Sequence, residues 1–357
     1  MKVSVNSTFS YIKFNLNYGS ALQCFALQRE LKKRGHDVSL VRDYRANPVI
    51  ILKRLRNIRY IKCFLQKAKA QIKLQGFIRR NITLSERAYV SYKGLVKNCP
   101  VADCHIVGSD QVWHNANNFR YLSYVPEDKI KISYAASFGK PEITGDMQRA
   151  IAPHLERFDG ISVREAAGVK ILEKMGFAAE HALDPTLLLE CDEYPYKEVA
   201  KENYCYGYFL NVNKREDIPM RCLAELCESA GKELLLTAPI NYPMFLEFKP
   251  LFPSVEEWLG LYKKADCIFT NTYHGLLFCI IFRKRFVLFL QQGETAAEND
   301  RFYSLMEKLG LRERVATAQD TQRIERLMHE DIDYDRVYEV IEKERQRARE
   351  FLSRFGL

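Results

Sequence analysis

His274 is placed to do chemistry. It lies in Thr270-Asn271-Thr272-Tyr273-His274-Gly275, between an apolar β-prone run, Cys267 to Phe269, and an apolar segment, Gly275 to Phe282. An imidazole titrates near neutral pH, so it can bind an anion as imidazolium or move a proton. Thr270, Asn271 and Thr272 can turn hydroxyls and backbone toward a ligand, and Gly275 permits close approach. Three other clusters have chemistry in them. Asn17-Tyr18-Gly19 precedes an apolar stretch, Ser109-Asp110-Gln111 follows one, and Arg164 ends another. An arginine can take a phosphate or carboxylate with two parallel hydrogen bonds, and an aspartate can accept a hydroxyl proton. Each cluster also has a plain structural reading as a helix cap or turn.

The patterning predicts that these residues stand where strands end. Cys267 to Phe269, a helix over Gly275 to Phe282 and Phe286 to Leu290 make a β-α-β unit with parallel strands. Lys2 to Asn6, a helix from Ala21 to Arg34 capped by Ser20, and His36 to Val41 make another. Val101 to Val107, Ile130 to Ala135 and Gly160 to Glu165 read as further strands, each emptying into polar residues. A second series follows: Tyr204 to Asn211, a helix over Pro219 to Ala230, Glu233 to Thr237, and a helix over Val255 to Lys264. A last amphipathic helix runs from Tyr334 to Phe355. Open α/β sheets bind ligands outside the carboxyl ends of their strands, and helix N-termini favour anions. The expected architecture is two Rossmann-like doubly wound α/β domains with a cleft between them, 1–189 and 190–325, and a helical segment 326–357.

Composition narrows the class. The chain has 357 residues, 47% hydrophobic and 28% charged, as in soluble globular proteins. No apolar run reaches the ~20 residues of a membrane span, and Met1 to Ser7 lacks a signal-peptide core, so a cytoplasmic protein is expected. Ten cysteines show no C-x-x-C pair, which argues against a metal centre and for reduced thiols. The net charge of +9 is concentrated. Tyr44 to Ser85 holds eleven Lys/Arg and no Asp or Glu, leaving 9 − 11 = −2 for the rest. Apolar residues from Ile51 to Ile72 recur at three and four, so an amphipathic basic helix is expected over 51–80. It is either a solvated face or a peripheral contact with an anionic membrane surface or lipid diphosphate. No recognition motif accompanies the charge, so nucleic acid is not expected.

Taken together, the spaced motifs resemble those of the polysaccharide pyruvyl transferase family. They are Asn17-Tyr18-Gly19-Ser20-Ala21-Leu22-Gln23, Gly108-Ser109-Asp110-Gln111-Val112-Trp113, Ser133 to Gly139, Ser162-Val163-Arg164-Glu165, Leu183-Asp184-Pro185-Thr186, Thr270 to Gly275, and Asn299-Asp300-Arg301-Phe302. The resemblance implies a GT-B-like fold, with acceptor bound by the N-terminal domain and donor by the C-terminal one. It implies transfer of the carboxyethylidene group of phosphoenolpyruvate onto two hydroxyls of a sugar in a cell-surface polysaccharide or its lipid-linked precursor. Phosphoenolpyruvate is then a co-substrate, with no resident cofactor and no metal. On the resemblance Arg164 holds an anionic group and His274 stands at the phosphate; Asp110 is the candidate base on the acceptor side. Asn17, Tyr18, Gly19, Ser109, Gln111, Thr270, Asn271, Thr272, Gly275 and Arg301 would line the substrates. The chain departs from some relatives in one respect. Gln291 to Asp300 contains no Lys or Arg where they carry a lysine, and Arg301, Arg283, Lys284 and Arg285 are candidate replacements. Two other readings stay open: a GT-B glycosyltransferase using a nucleotide sugar, and a non-catalytic member of a glycan assembly complex.

Overall fold

The computed structural model describes residues 1–7, 17–43, 61–210, 212, 214–238 and 243–357. The 51–60 part of the expected basic helix falls outside these residues. The chain divides into two compact units. One comprises Met1–Phe64, Gln75–Leu189 and Glu342–Leu357; the other comprises Leu65–Leu74 and Glu190–Ile341.

The first unit is built on β1 (Lys2–Asn6), α1 (Tyr18–Lys33), β2 (Asp37–Asp43), the end of α2 (Ile61–Asn81), β3 (Leu84–Tyr89), α3 (Tyr92–Lys97) and β4 (Cys104–Val107). It continues through β5 (Ile130–Ala136), α4 (Gly145–Leu155), β6 (Gly160–Val163), α5 (Ala166–Lys174) and β7 (Glu180–His181). Its seven strands form one parallel sheet in the order β3-β2-β1-β4-β5-β6-β7. The order reverses between β1 and β4, which makes the carboxyl ends of those two strands the switch point of the sheet.

The second unit contains β8 (Tyr204–Tyr208), α6 (Met220–Ser229), β9 (Glu233–Thr237), α7 (Val255–Lys264), β10 (Cys267–Thr270), α8 (Tyr273–Ile281) and β11 (Arg285–Phe289). After these come α9 (Asp300–Leu309), β12 (Val315–Ala316), α10 (Thr321–His329) and the start of α11 (Tyr334–Ser353). The five strands are again all parallel, ordered β12-β11-β10-β8-β9, with the switch between β8 and β10.

Local chemistry explains most boundaries. Both β10 and α8 are buried throughout, as their unbroken apolar runs require. Gly35, at φ +84°, lets the chain turn out of α1 as its N–H bonds the Lys32 carbonyl. Two helices begin earlier than expected because the cap is an earlier residue. Asn17, not Ser20, caps α1: its side chain accepts from the Ser20 N–H at 3.2 Å. Thr272 caps α8, so His274 is the second residue of the helix rather than the last before it. Asn299 stands at the cap of α9, and Asp300 to Phe302 form its first turn.

The C-terminal residues join the first unit through specific contacts. Arg345, 2% exposed, donates to the carbonyls of Leu187 and Leu189 at 2.6 and 2.9 Å. Phe355 lies over Gly160, where a Cβ would come within 2.2 Å of its ring. In the core of the first unit Trp113 stacks on Tyr121 with centroids 5.4 Å apart, which fixes the loop after β4.

Candidate functional site

The predicted residues fall into two clusters, one in each unit. Both stand at the carboxyl ends of strands; the second lies at its sheet's switch point, and the first runs from β4, beside the switch, to β6 and β7.

In the first unit four motifs meet in one buried polar network. Arg164, just past β6, donates through Nη1 to Asp184 Oδ2 at 3.0 Å, and Ser109 Oγ donates to the same oxygen at 2.9 Å. The other oxygen of Asp184 accepts from the Thr186 N–H and hydroxyl at 3.0 and 2.8 Å. Glu165 approaches Arg164 Nε at 3.6 Å and takes a hydrogen bond from Ser137 Oγ. The Arg164 and Asp184 side chains are both 0% exposed. Two carboxylates therefore face one guanidinium, and burial makes that pairing obligatory.

Asp110 follows Ser109 directly and has a left-handed backbone, φ +83°. A non-glycine residue is costly there, by about 1–3 kcal/mol, and such strain persists only where the surroundings impose it. They do so here. The Asp110 carbonyl accepts from Val112 N–H at 2.7 Å and Ser137 N–H at 3.1 Å, and its Oδ1 accepts from Gln111 N–H at 2.9 Å. Gln111 lies across Gly139, where a Cβ would meet its Nε2 at 2.3 Å. Ser7, just past β1, donates to the Ser109 carbonyl at 2.6 Å and accepts from Gln23 Nε2 of α1 at 2.9 Å. That chain ties α1 to the Asp110 loop. Of the three residues expected at its start, Asn17 is the cap, Tyr18 is fully buried and Gly19 lies in the first turn. Burial pushes the neighbouring Cys24 thiol up to about 12, so it is no nucleophile at neutral pH.

In the second unit Thr270, Asn271, Thr272, His274 and Gly275 make one rigid turn. Thr272 Oγ1 accepts from the Gly275 N–H at 2.9 Å. Thr270 Oγ1 accepts from the Thr272 N–H at 3.1 Å and donates to the Tyr208 carbonyl at 2.8 Å. Asn271 clamps Leu210 by both its backbone groups, at 2.9 and 2.6 Å. These side chains hold the turn, and the helix end they shape presents backbone N–H groups and His274, 7% exposed.

Arg301 belongs to the same cluster. Its guanidinium lies 5.7 Å from the Tyr273 ring centroid, and Tyr273 meets His274 edge to face at 5.8 Å. Glu298 pairs with Arg301 at 3.0 Å.

Sequence reasoning missed three residues that organise these clusters. Asp184 and Glu165 lay within recognised motifs but only the structure pairs them with Arg164. Gln291, past β11, exchanges backbone and side-chain bonds with Asn299 at 3.0 and 2.8 Å and donates to the Asn271 carbonyl at 3.3 Å. Its place at a strand end, next to β10, was the available signal.

Comparison with known proteins bears on the fold and the family. No curated protein matches the chain. Among solved structures, UDP-GlcNAc 2-epimerase from Methanocaldococcus jannaschii is similar, with a TM-score of 0.54 at 11% identity over 96% of this chain and 92% of that one. The UDP-N-acetylglucosamine 2-epimerase from Rickettsia bellii gives 0.51 at 12% identity over 98% and 95%. A putative enzyme of that name from Listeria monocytogenes gives 0.52 at 11% over 97% and 91%. At these identities the likeness is one of fold: two Rossmann-like α/β units of the GT-B kind. The polysaccharide pyruvyl transferase model matches residues 17–292, from the cap of α1 to just beyond β11. That span covers well over half the chain and takes in both strand-end clusters except Ser7, Glu298, Asn299 and Arg301, so the chain belongs to the polysaccharide pyruvyl transferase family.

Proposed function

We propose that the protein transfers the carboxyethylidene group of phosphoenolpyruvate onto two hydroxyls of a sugar, in a cell-surface polysaccharide or its lipid-linked precursor, and releases phosphate. The observation that carries the reading is that the family motifs gather at the carboxyl ends of the parallel strands of each sheet, where open α/β folds bind ligands. The second unit supplies the donor side. Its α8 N-terminus suits a phosphate, with His274 in the first turn and the Arg301 cation beside Tyr273. The first unit supplies the acceptor side, where Asp110 is held in a strained conformation and can take a hydroxyl proton.

Arg164 enters the reading as a positioning residue. Its covered guanidinium is matched by Asp184 and Glu165, so it serves the site by holding Ser109 and, next to it, Asp110. This differs from the direct anion contact that the family resemblance implies for it.

The balance of the reaction assigns the protons. One sugar oxygen bonds to C2 of phosphoenolpyruvate as C3 gains a proton and becomes a methyl group. The second oxygen bonds to C2 as the C2–O bond to phosphate breaks. Two hydroxyl protons are released; one is matched at C3 and one at phosphate. Asp110 is the proposed acceptor of a hydroxyl proton, and His274 the proposed donor to the departing phosphate. The reading uses no metal and no resident cofactor.

The test is incubation of the full chain with phosphoenolpyruvate and lipid-linked glycans, with release of phosphate and a product heavier by the carboxyethylidene group. Activity should survive EDTA. Stabilisation by a UDP- or GDP-sugar, with none by phosphoenolpyruvate and no phosphate release, would overturn it in favour of a nucleotide-sugar transferase.

A further inference from the structure

The first unit has a second polar surface, at the opposite edge of its sheet. The end of α2 and the start of β3 form a recess of about 360 Å³ lined by Lys32, Arg79, Arg80, Asn81, Ile82, Thr83 and Leu84. It lies by the amino ends of β2 and β3, whereas Asp110 and Arg164 follow the carboxyl ends of β4 and β6. The recess is therefore separate from the acceptor-side cluster of this unit.

Its lining contains three cations and no carboxylate. The floor is built rather than incidental. Gln28, 3% exposed, donates to the Thr83 carbonyl and accepts from its N–H, at 2.9 and 2.7 Å. Thr83 Oγ1 in turn accepts from Lys32 Nζ at 2.6 Å, which fixes the ammonium over the recess. Burial lowers the Lys32 pKa, partly countered by Asp37 at the start of β2. Glu30, the other carboxylate on this side of α1, is paired with Lys33 and Arg34 at 3.8 and 3.2 Å. Arg79 and Arg80 complement the negative end of the α2 dipole, which accounts for two basic residues in that turn. Lys32 stands likewise in the last turn of α1, so two helix C-termini bring their cations to one recess and add to the same positive field.

We propose that this basic recess is a docking site for the phosphate headgroups of an anionic bilayer. Two further features favour a bilayer over a soluble phosphate. Met1 and Val101, which stand before β1 and β4 at the same edge, are 41% and 89% exposed, as aliphatic groups at a lipid interface would be. Arg79 and Arg80 also close the sequence segment, Tyr44 to Ser85, that carries eleven Lys/Arg and no Asp or Glu. An enzyme acting on lipid-linked glycans would gain from such contact, but the surface stands on its own observations.

Three basic side chains at an anionic surface give about a 10²-fold increase in partitioning, weakened by salt. The test is co-sedimentation of the full chain with phosphatidylcholine vesicles, with and without phosphatidylglycerol. Wild type should bind the anionic vesicles only. The triple variant Lys32→Gln, Arg79→Gln, Arg80→Gln should lose about 10²-fold of that binding. Its turnover on a soluble acceptor should be unchanged, because none of the three lies in the proposed catalytic machinery. Equal binding by wild type and variant overturns the proposal. Stabilisation by pyrophosphate, lost in the variant, without vesicle binding would reassign the recess to a soluble phosphate. Binding of a nucleic-acid duplex in place of vesicles would likewise overturn the bilayer.

Discussion

Arg164 and Asp184 meet at 3.0 Å with both side chains wholly covered, and Ser109 shares the same carboxylate oxygen. The pair joins the end of β6 to the Pro185–Leu188 turn, which Asp184 caps and which packs on α1. A buried ion pair contributes little net stability, but loss of one partner strands the other. Asp184→Ala should therefore destabilise the first unit by ~3–5 kcal/mol, read as a fall in the urea midpoint. Asp184→Asn, whose single amide oxygen can still accept on one of the two sides, from Ser109 or from Thr186, should cost less. In Arg164→Lys the ammonium keeps the charge but loses the planar fork. If Arg164 is a positioning residue, this variant should lower turnover with KM for phosphoenolpyruvate nearly unchanged. A large rise in that KM would instead make Arg164 a donor ligand.

His105 gives a prediction about pH. It is 0% exposed in β4, edge-on to Tyr124 at 6.4 Å, and neither ring nitrogen has a hydrogen-bond partner among the described residues. Burial, with Lys131 and Lys129 adding to it, pulls its pKa from 6.5 down to about 4. The folded value lies below the unfolded one. Above pH 6.5 both states hold a neutral ring and His105 has no effect on stability. As pH falls from 6.5 toward 4 the unfolded chain binds a proton that the folded chain refuses, so stability is lost across that window and the loss levels off below it. The full effect is on the order of 3 kcal/mol. Urea midpoints measured from pH 7 to 4 should fall less steeply for His105→Phe than for wild type. Parallel curves would show that His105 is protonated in place.

Gly275 tests the turn at His274. Alanine normally favours a helix over glycine by about 1 kcal/mol. Here the added Cβ would lie 2.3 Å from both Thr270 Oγ1 and Thr272 Oγ1, and 3.0 Å from Tyr262 Oη. One of those hydroxyls caps α8 and the other joins β10 to β8. Gly275→Ala should therefore destabilise the second unit by ~1–3 kcal/mol, against its helix propensity. Thermal unfolding of the variant is the measurement. A variant as stable as wild type would mean the turn relaxes and is not held by the two threonines.

These sites show what a sequence can and cannot disclose. Strands with unbroken apolar runs, such as Cys267–Thr270 and Glu233–Thr237, were legible because their burial is written in composition. The strand-end positions of Asp110, Arg164 and His274 followed from those strands. Helix starts were less legible. Ser20 and Asn17 are both good caps, and only the geometry decides that Asn17 accepts from Ser20. The Leu84–Tyr89 strand, with mostly exposed polar residues, has no apolar alternation to announce it. Least legible was the pairing of Arg164 with Asp184. It spans twenty residues and depends on where β6 and the Asp184 turn come to rest, which no local pattern encodes.

The sharpest test of the proposed chemistry is His274→Gln. Glutamine keeps a hydrogen-bond donor near the α8 N-terminus but cannot titrate. The surrounding turn should hold, because its bonds come from Thr270, Thr272 and Asn271 rather than from the imidazole. Two outcomes then separate two roles. If His274 only donates a hydrogen bond to phosphate, the variant should keep much of its rate and its pH profile should flatten. If His274 passes a proton to the departing phosphate, turnover should fall by ~10²–10⁴-fold while KM for phosphoenolpyruvate changes little. The second is expected, because phosphate departure from C2 needs a proton and α8 puts an imidazole in its first turn. Arg301→Gln is the companion measurement. It removes the cation beside Tyr273 without touching the turn, so it should raise KM for phosphoenolpyruvate and leave the shape of the pH profile intact. A His274→Gln enzyme with near-normal turnover would refute proton transfer by this residue. An Arg301→Gln enzyme with an unaltered KM would remove Arg301 from the donor side.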